Sequence, residues 1–218
     1  LLALVSGAGS LCVVALLAKR WGSLEMLLSV LLTGTSYPLL LYFSEARGYA
    51  PAILFGLLSY YLQEQNWRDF KAYRVPLFWL TAILGALSHL TFLIVSTALL
   101  LISLARVIQG SERLRSGGFR LLLHHLPPLA FFLGLYLVFV NDMAIGGGPV
   151  YTYGTVIGQA AAFVLGLPQE PTFQLVAAIC LAGLLTVSVR KLYQNGDDGW
   201  LFYLFVLLVA PFLMLILT

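Results

Sequence analysis

Charge is what this chain has least of. Only 10% of its 218 residues are charged, whereas a soluble domain carries roughly 25% to cover its surface. That shortage excludes a fold solvated by water on all sides and leaves the bilayer to solvate its helices. Cysteine is nearly missing as well. Cys12 and Cys180 both lie within apolar runs, which excludes a disulfide framework or a paired metal site and predicts small core residues. The metalloprotease HExxH, the CxxC pair, the GxSxG nucleophile turn and the Walker phosphate loop are all missing. Gly146-Gly147-Gly148-Pro149 has no strand before it and no GK[ST] after it, so it reads as a flexible loop and not a phosphate cradle. No apolar run carries a series of carboxylates, as a proton- or sodium-coupled transporter usually requires. The net charge of +3 is too small to indicate a nucleic-acid partner. The first residue is Leu1 in an apolar run with no basic segment before it, which is not a signal peptide. Both ends fall inside apolar runs, so the chain is expected to be a piece of a longer protein.

What is present is apolar length. Hydrophobic residues make up 61% of the chain, and its mean hydropathy is +0.95. A spanning helix needs about 20 apolar residues. Residues 1–18, 24–42, 49–62, 121–140, 173–189 and 200–218 are candidate spans, separated by short polar loops. Residues 154–167 are apolar but few, closed by Pro168 and Pro171, and read as an interfacial helix. The expected fold is all-α: a polytopic transmembrane helical bundle forming one domain over residues 1–218.

Residues 76–105 need a different treatment. A single helix of that length would run about 45 Å, too long for a bilayer core of about 30 Å. Arg68, Lys71 and Arg74 precede the segment, and Arg106, Arg113, Arg115 and Arg120 follow it. Because Lys and Arg collect on the cytoplasmic side, both ends belong there. The segment is therefore predicted to enter and return as a short-helix hairpin, with Ser88-His89 near its turn. That arrangement places eleven of the twelve basic residues inside, all but Arg47; a single crossing would split them. The turn would then lie at membrane depth, where irregular backbone is tolerated only against protein or a water-filled cavity. A cavity on the outer half is expected, with Ser88, His89 and Thr91 near its floor.

Few residues are left that could carry chemistry. Arg47 could be an interfacial partner of Glu45 that snorkels to the headgroups. It could instead bind an anionic group, since guanidinium is a planar fork matched to phosphate, with Glu45 orienting it or serving as acid or base. His89 is either a satisfied turn histidine or a polar wall of the cavity. His124-His125 reads as an interfacial pair at a helix start, beside Arg120. Asp142 and Glu170 read as solvated loop carboxylates, and Tyr151 and Tyr153 as interface aromatics.

Ser44-Glu45-Ala46-Arg47-Gly48-Tyr49-Ala50, followed by an apolar stretch ending Ser59-Tyr60-Tyr61-Leu62, resembles the S-x-E-A-R-x-Y-A segment of bacterial GT-C membrane glycosyltransferases. These belong to the dolichyl-phosphate-mannose protein mannosyltransferase-like superfamily. The flanks agree. Residues 1–22 look like that family's span ending in a basic turn and glycine, Tyr37-Pro38 matches its helix-end proline, and Leu87-Ser88-His89-Leu90-Thr91 is similar to its L-T-H-Y turn. The resemblance covers about residues 1–140. It implies a GT-C-like bundle in the bacterial cytoplasmic membrane that passes a sugar from a polyprenyl-phosphate carrier to an acceptor on the extracytoplasmic face. Glu45, Arg47, Tyr49 and His89 would be donor-binding, with membrane lipid and the lipid-linked donor as partners. Some members use a divalent metal and others do not, so the resemblance implies no particular cofactor. The family's catalytic acidic residue sits in its first outer loop, which corresponds to a position upstream of Leu1. The competing readings are a transporter or flippase for a lipid or small molecule, and a membrane scaffold without catalysis.

Overall fold

The computed structural model describes residues 1–44, 48–109, 114–142, 153–197 and 199–209. Among these, every regular element is a helix. They are α1 (Leu2–Ala18), α2 (Ser23–Thr35), α3 (Tyr37–Ser44), α4 (Tyr49–Arg68), α5 (Arg74–Ser88), α6 (Phe92–Ile108), α7 (Leu114–Leu135), α8 (Tyr153–Val164), α9 (Pro171–Gln194) and α10 (Gly199–Leu204). Helix α7 runs on as a π-helical turn over Tyr136–Val140, and α10 does the same over Phe205–Val209.

Two helical stretches are long and apolar enough to cross a membrane, Ser116–Val140 and Pro171–Gln194. A third qualifies if the bent pair α2–α3 counts as one span. Only 6% of the most apolar α9 window is buried within the chain. Its outer face presents Leu175, Ile179, Leu184 and Val187 to the surroundings. An apolar patch that large is untenable in water and ordinary in lipid.

The run at residues 24–42 is not one rod. It breaks at Ser36, whose backbone is extended, and the two halves meet at a bend of 60°. Pro38 is the cause, because it has no N–H for the Gly34 carbonyl and its ring crowds that carbonyl. Helix α4 departs from expectation in the other direction. Residues 63–68, read from the sequence as loop, continue the helix for nearly two turns to Arg68. No proline or glycine interrupts Tyr61–Arg68, so the backbone has no reason to stop. The two cysteines also differ from expectation: Cys12 and Cys180 are exposed on outer helix faces and do not sit in a core.

Residues 76–105 do double back. Helices α5 and α6 are separated by His89-Leu90-Thr91, where His89 takes an extended conformation and ends α5. Phe78 near the start of α5 packs in one cluster with Leu99 and Ile102 near the end of α6, which requires the helices to run antiparallel. Gly85 provides the notch: a side chain there would overlap the ring of Phe92, which is 1% exposed beside Ala82 and Ala86. Arg74 and Arg106 thereby return to the same end of α4. Arg74 Nη1 donates to the carbonyls of Gln65 and Asp69 at 3.0 and 2.7 Å, and Arg106 pairs with Glu64.

Helix α7 contains Pro127 and Pro128. Pro127 cannot donate to the Leu123 carbonyl one turn back. The indole N–H of Trp79 on α5 donates to that carbonyl at 2.9 Å, so a bond lost within α7 becomes a bond between helices.

Candidate functional site

The chain forms two polar assemblies at opposite ends of α4. At its N-terminal end, Tyr49 stacks on the His89 ring with centroids 4.2 Å apart and planes inclined by 29°. Tyr42 at the end of α3 adds a second ring, 5.0 Å from that of Tyr49. Gly48 makes the approach possible, since a Cβ there would overlap the Ser88 carbonyl oxygen. Its φ is −68°, within reach of any residue, so space and not backbone freedom selects glycine here.

His89 is held by its own turn. The Thr91 main-chain N–H donates to Nδ1 at 3.2 Å, and the Thr91 hydroxyl lies 2.9 Å from the same nitrogen. Nδ1 is thus the acceptor, and in the neutral ring Nε2 carries the proton. The imidazole presents a donor beside an aromatic wall, an arrangement able to bind an oxyanion or a sugar hydroxyl.

The structure therefore brings together two of the four residues singled out for donor binding, Tyr49 and His89. Glu45 and Arg47 lie outside the described residues, as do Gly146, Gly147, Gly148, Pro149 and Tyr151. Ser88, His89 and Thr91, expected at the floor of a hollow, do not line the cavities bounded by α1, α2, α4, α9 and α10.

The second assembly surrounds Glu64, and sequence reading missed it by placing Glu64 in a loop. Glu64 is 5% exposed, and its carboxylate pairs with Arg106 through Oε1, with Arg20 through Oε2 at 3.6 Å, and with Arg68 at 3.9 Å. Arg20 reaches onward to Asp197 at 3.4 Å, and the Trp21 indole donates to Asp197 at 3.0 Å. Gly196, at φ 66°, closes α9 and carries the chain into the left-handed turn that aims Asp197 at these partners. Burial alone would raise the Asp197 pKa. The Gly199 N–H, the Trp21 indole and the charges of Arg20 and Arg68 together outweigh it and hold the carboxyl below its ordinary value. Ser59, Gln63 and Asn66 were the available signal, because their helical spacing marks a polar stripe on α4; all three are buried.

His124 and His125 belong to this end, are buried within the chain and do not start a helix. They are 2% and 4% exposed, and α7 has already begun at Leu114. Asn66 accepts the Lys71 main-chain N–H at 2.7 Å and donates to His124 Nε2 at 2.8 Å; His124 Nδ1–H then donates to the Arg120 carbonyl at 2.9 Å. His125 Nε2 lies 2.9 Å from the Ser103 hydroxyl. Each ring ties α7 to a neighbouring helix, His124 to α4 and His125 to α6, and neither lines the cavities bounded by α1, α2, α4, α9 and α10.

No protein-family model matches the chain, and no curated protein or solved structure matches it.

Proposed function

We propose that this chain forms part of a multi-pass membrane glycosyltransferase that takes a sugar from a polyprenyl-phosphate carrier and passes it to an acceptor on the extracytoplasmic face. The observation that carries the reading is the Tyr49–His89 stack. The Glu45-Ala46-Arg47-Gly48-Tyr49 word and the Ser88-His89 turn lie forty residues apart in the chain, yet their aromatic members touch. In a donor site of this kind the Nε2–H of His89 donates to the carrier phosphate, and Arg47 has the donor-binding role that the resemblance implies for it. As the sugar C–O bond breaks, negative charge grows on the departing phosphate oxygen, and donors fixed beforehand stabilise it. Tyr42 and Tyr49 give the sugar a flat face to rest on. A transporter would need a carboxylate free to bind its coupling ion. Glu64, the buried carboxylate among the described residues, is instead surrounded by three guanidinium groups.

The test is binding of undecaprenyl phosphate to the chain in nanodiscs. His89→Ala and Arg47→Ala should each weaken it about tenfold or more, the worth of one charge-assisted hydrogen bond, without changing the elution profile. Equal binding by the parent and both variants would remove the donor site from this end of α4.

A further inference from the structure

A chamber of about 320 Å³ opens between α1, α2, α4 and α10, near the end of the molecule opposite the Tyr49–His89 stack. Its size is at the low end of ligand pockets, which run from roughly 300 to 1,000 Å³. Tyr60, on the chamber wall, lies roughly 17 Å from Tyr49 along the α4 axis, as eleven residues of helix require. The two sites are therefore separate.

The chamber is divided by chemistry. Val14, Leu17, Leu32 and Leu57 line its apolar part, while Arg20, Tyr60 and Tyr203 line it elsewhere. Arg20 Nε has no hydrogen-bond partner among the described residues. Neither the Tyr60 nor the Tyr203 hydroxyl has one among them either. The lining thus holds two donors not used by the fold, both on phenols, beside the Arg20 guanidinium, whose Nε is sealed within the protein and does not reach the chamber. The cation on the lining is Arg20; around it Arg68 and Arg106 join Glu64 and Asp197, and Glu25 and Lys191 stand on the neighbouring cavity that Trp21, Asp197 and Tyr203 also line. Trp21 lies beneath the Arg20 guanidinium at 4.1 Å and holds it in place. An apolar chamber ending in anion donors fits a molecule with the same division, namely an acidic headgroup on an alkyl tail.

We infer that this chamber binds a phosphate-headed membrane lipid, with the phosphate on Arg20, Tyr60 and Tyr203 and the start of one acyl chain among the leucines of α1, α2 and α4. The rest of the chain runs out over the exposed Leu28 and Leu32 of α2. The inference does not depend on the sugar-transfer reading, and it concerns the other end of the bundle.

Native mass spectrometry of the chain in neutral detergent, titrated with dilauroyl phosphatidic acid, dilauroyl phosphatidylcholine and inorganic phosphate, tests it. Phosphatidic acid should bind at least tenfold more tightly than either of the others. The double variant Tyr60→Phe, Tyr203→Phe removes the two hydroxyls and leaves every ion pair in place, and it should lose at least tenfold of that affinity. Helix α2 contributes no buried residue, so Ser29→Phe narrows the chamber from its least packed wall and should lose as much. Equal affinity for phosphatidylcholine would overturn the headgroup assignment, and equal affinity for inorganic phosphate would overturn the lipid. Unchanged binding by both variants would place the ligand elsewhere.

Discussion

Glu64 and Arg106 are 42 residues apart in the chain and form an ion pair with both side chains 6% exposed. The pair joins the C-terminal part of α4 to the last turn of α6, so it can form only if the segment between them returns to where it began. Hairpin and ion pair stabilise each other.

Removing one partner of a buried pair leaves an uncompensated charge, which costs about 3–5 kcal/mol. Glu64→Ala removes the carboxylate that Arg20, Arg68 and Arg106 share. It should lower the thermal unfolding midpoint in detergent far more than Asp69→Ala, whose partner Lys71 is half exposed. Equal shifts for the two variants would show that the cluster contributes no more than a surface pair.

Trp79→Phe keeps most of the ring and deletes the donor that serves the Leu123 carbonyl opposite Pro127. An unsatisfied buried acceptor costs about 1–3 kcal/mol. Pairing that change with Pro127→Ala restores the N–H within α7, so the double variant should recover most of the loss. Additive losses in the denaturation midpoints would argue against the exchange of bonds.

Gly48→Ala should be unfavourable despite a backbone conformation that alanine accepts. The new methyl meets the Ser88 carbonyl oxygen, a main-chain atom that moves only with its helix end. Overpacking of this kind costs about 1–3 kcal/mol. Because the strain separates Tyr49 from His89, undecaprenyl phosphate binding should fall together with stability. A variant as stable as the parent would mean that the two backbones are not this close.

Asp197 gives a pH dependence with a definite sign. Its folded-state pKa lies below the ordinary 3.8, so its contribution to stability is complete above that value and is lost as pH falls through the lower, folded one. Unfolding midpoints of the parent and Asp197→Asn, compared from neutral pH to below 3.8, should converge at the acid end. A gap that does not close on acidification would assign the stabilisation to something other than the carboxylate.

With Cys12 and Cys180 replaced, single cysteines at Lys71, Gln109 and Leu90 report the direction of the hairpin. Those at positions 71 and 109 should react with an impermeant thiol reagent from one side of the membrane, and that at position 90 from the other. Labelling of 71 and 109 from opposite sides would turn α5 and α6 into a single crossing.

The sequence by itself determined the helical class, the shortage of water-facing surface and the return of residues 76–105. All three follow from quantities spread along the chain: apolar length, charge fraction, and the rule that basic residues share a side. It also singled out Tyr49 and His89 by the words around them. Beyond the polar stripe of Ser59, Gln63 and Asn66, the Glu64 centre was decided by tertiary structure. Glu64 and its partners Arg20, Arg68 and Arg106 look locally like ordinary loop residues, and their burial depends on helices that meet only after folding. The same holds for the Leu123 carbonyl, where the proline was legible but its replacement donor, Trp79, sits 44 residues away on another helix. Periodicity records what one helix buries; it carries no record of which distant polar group waits on the other side.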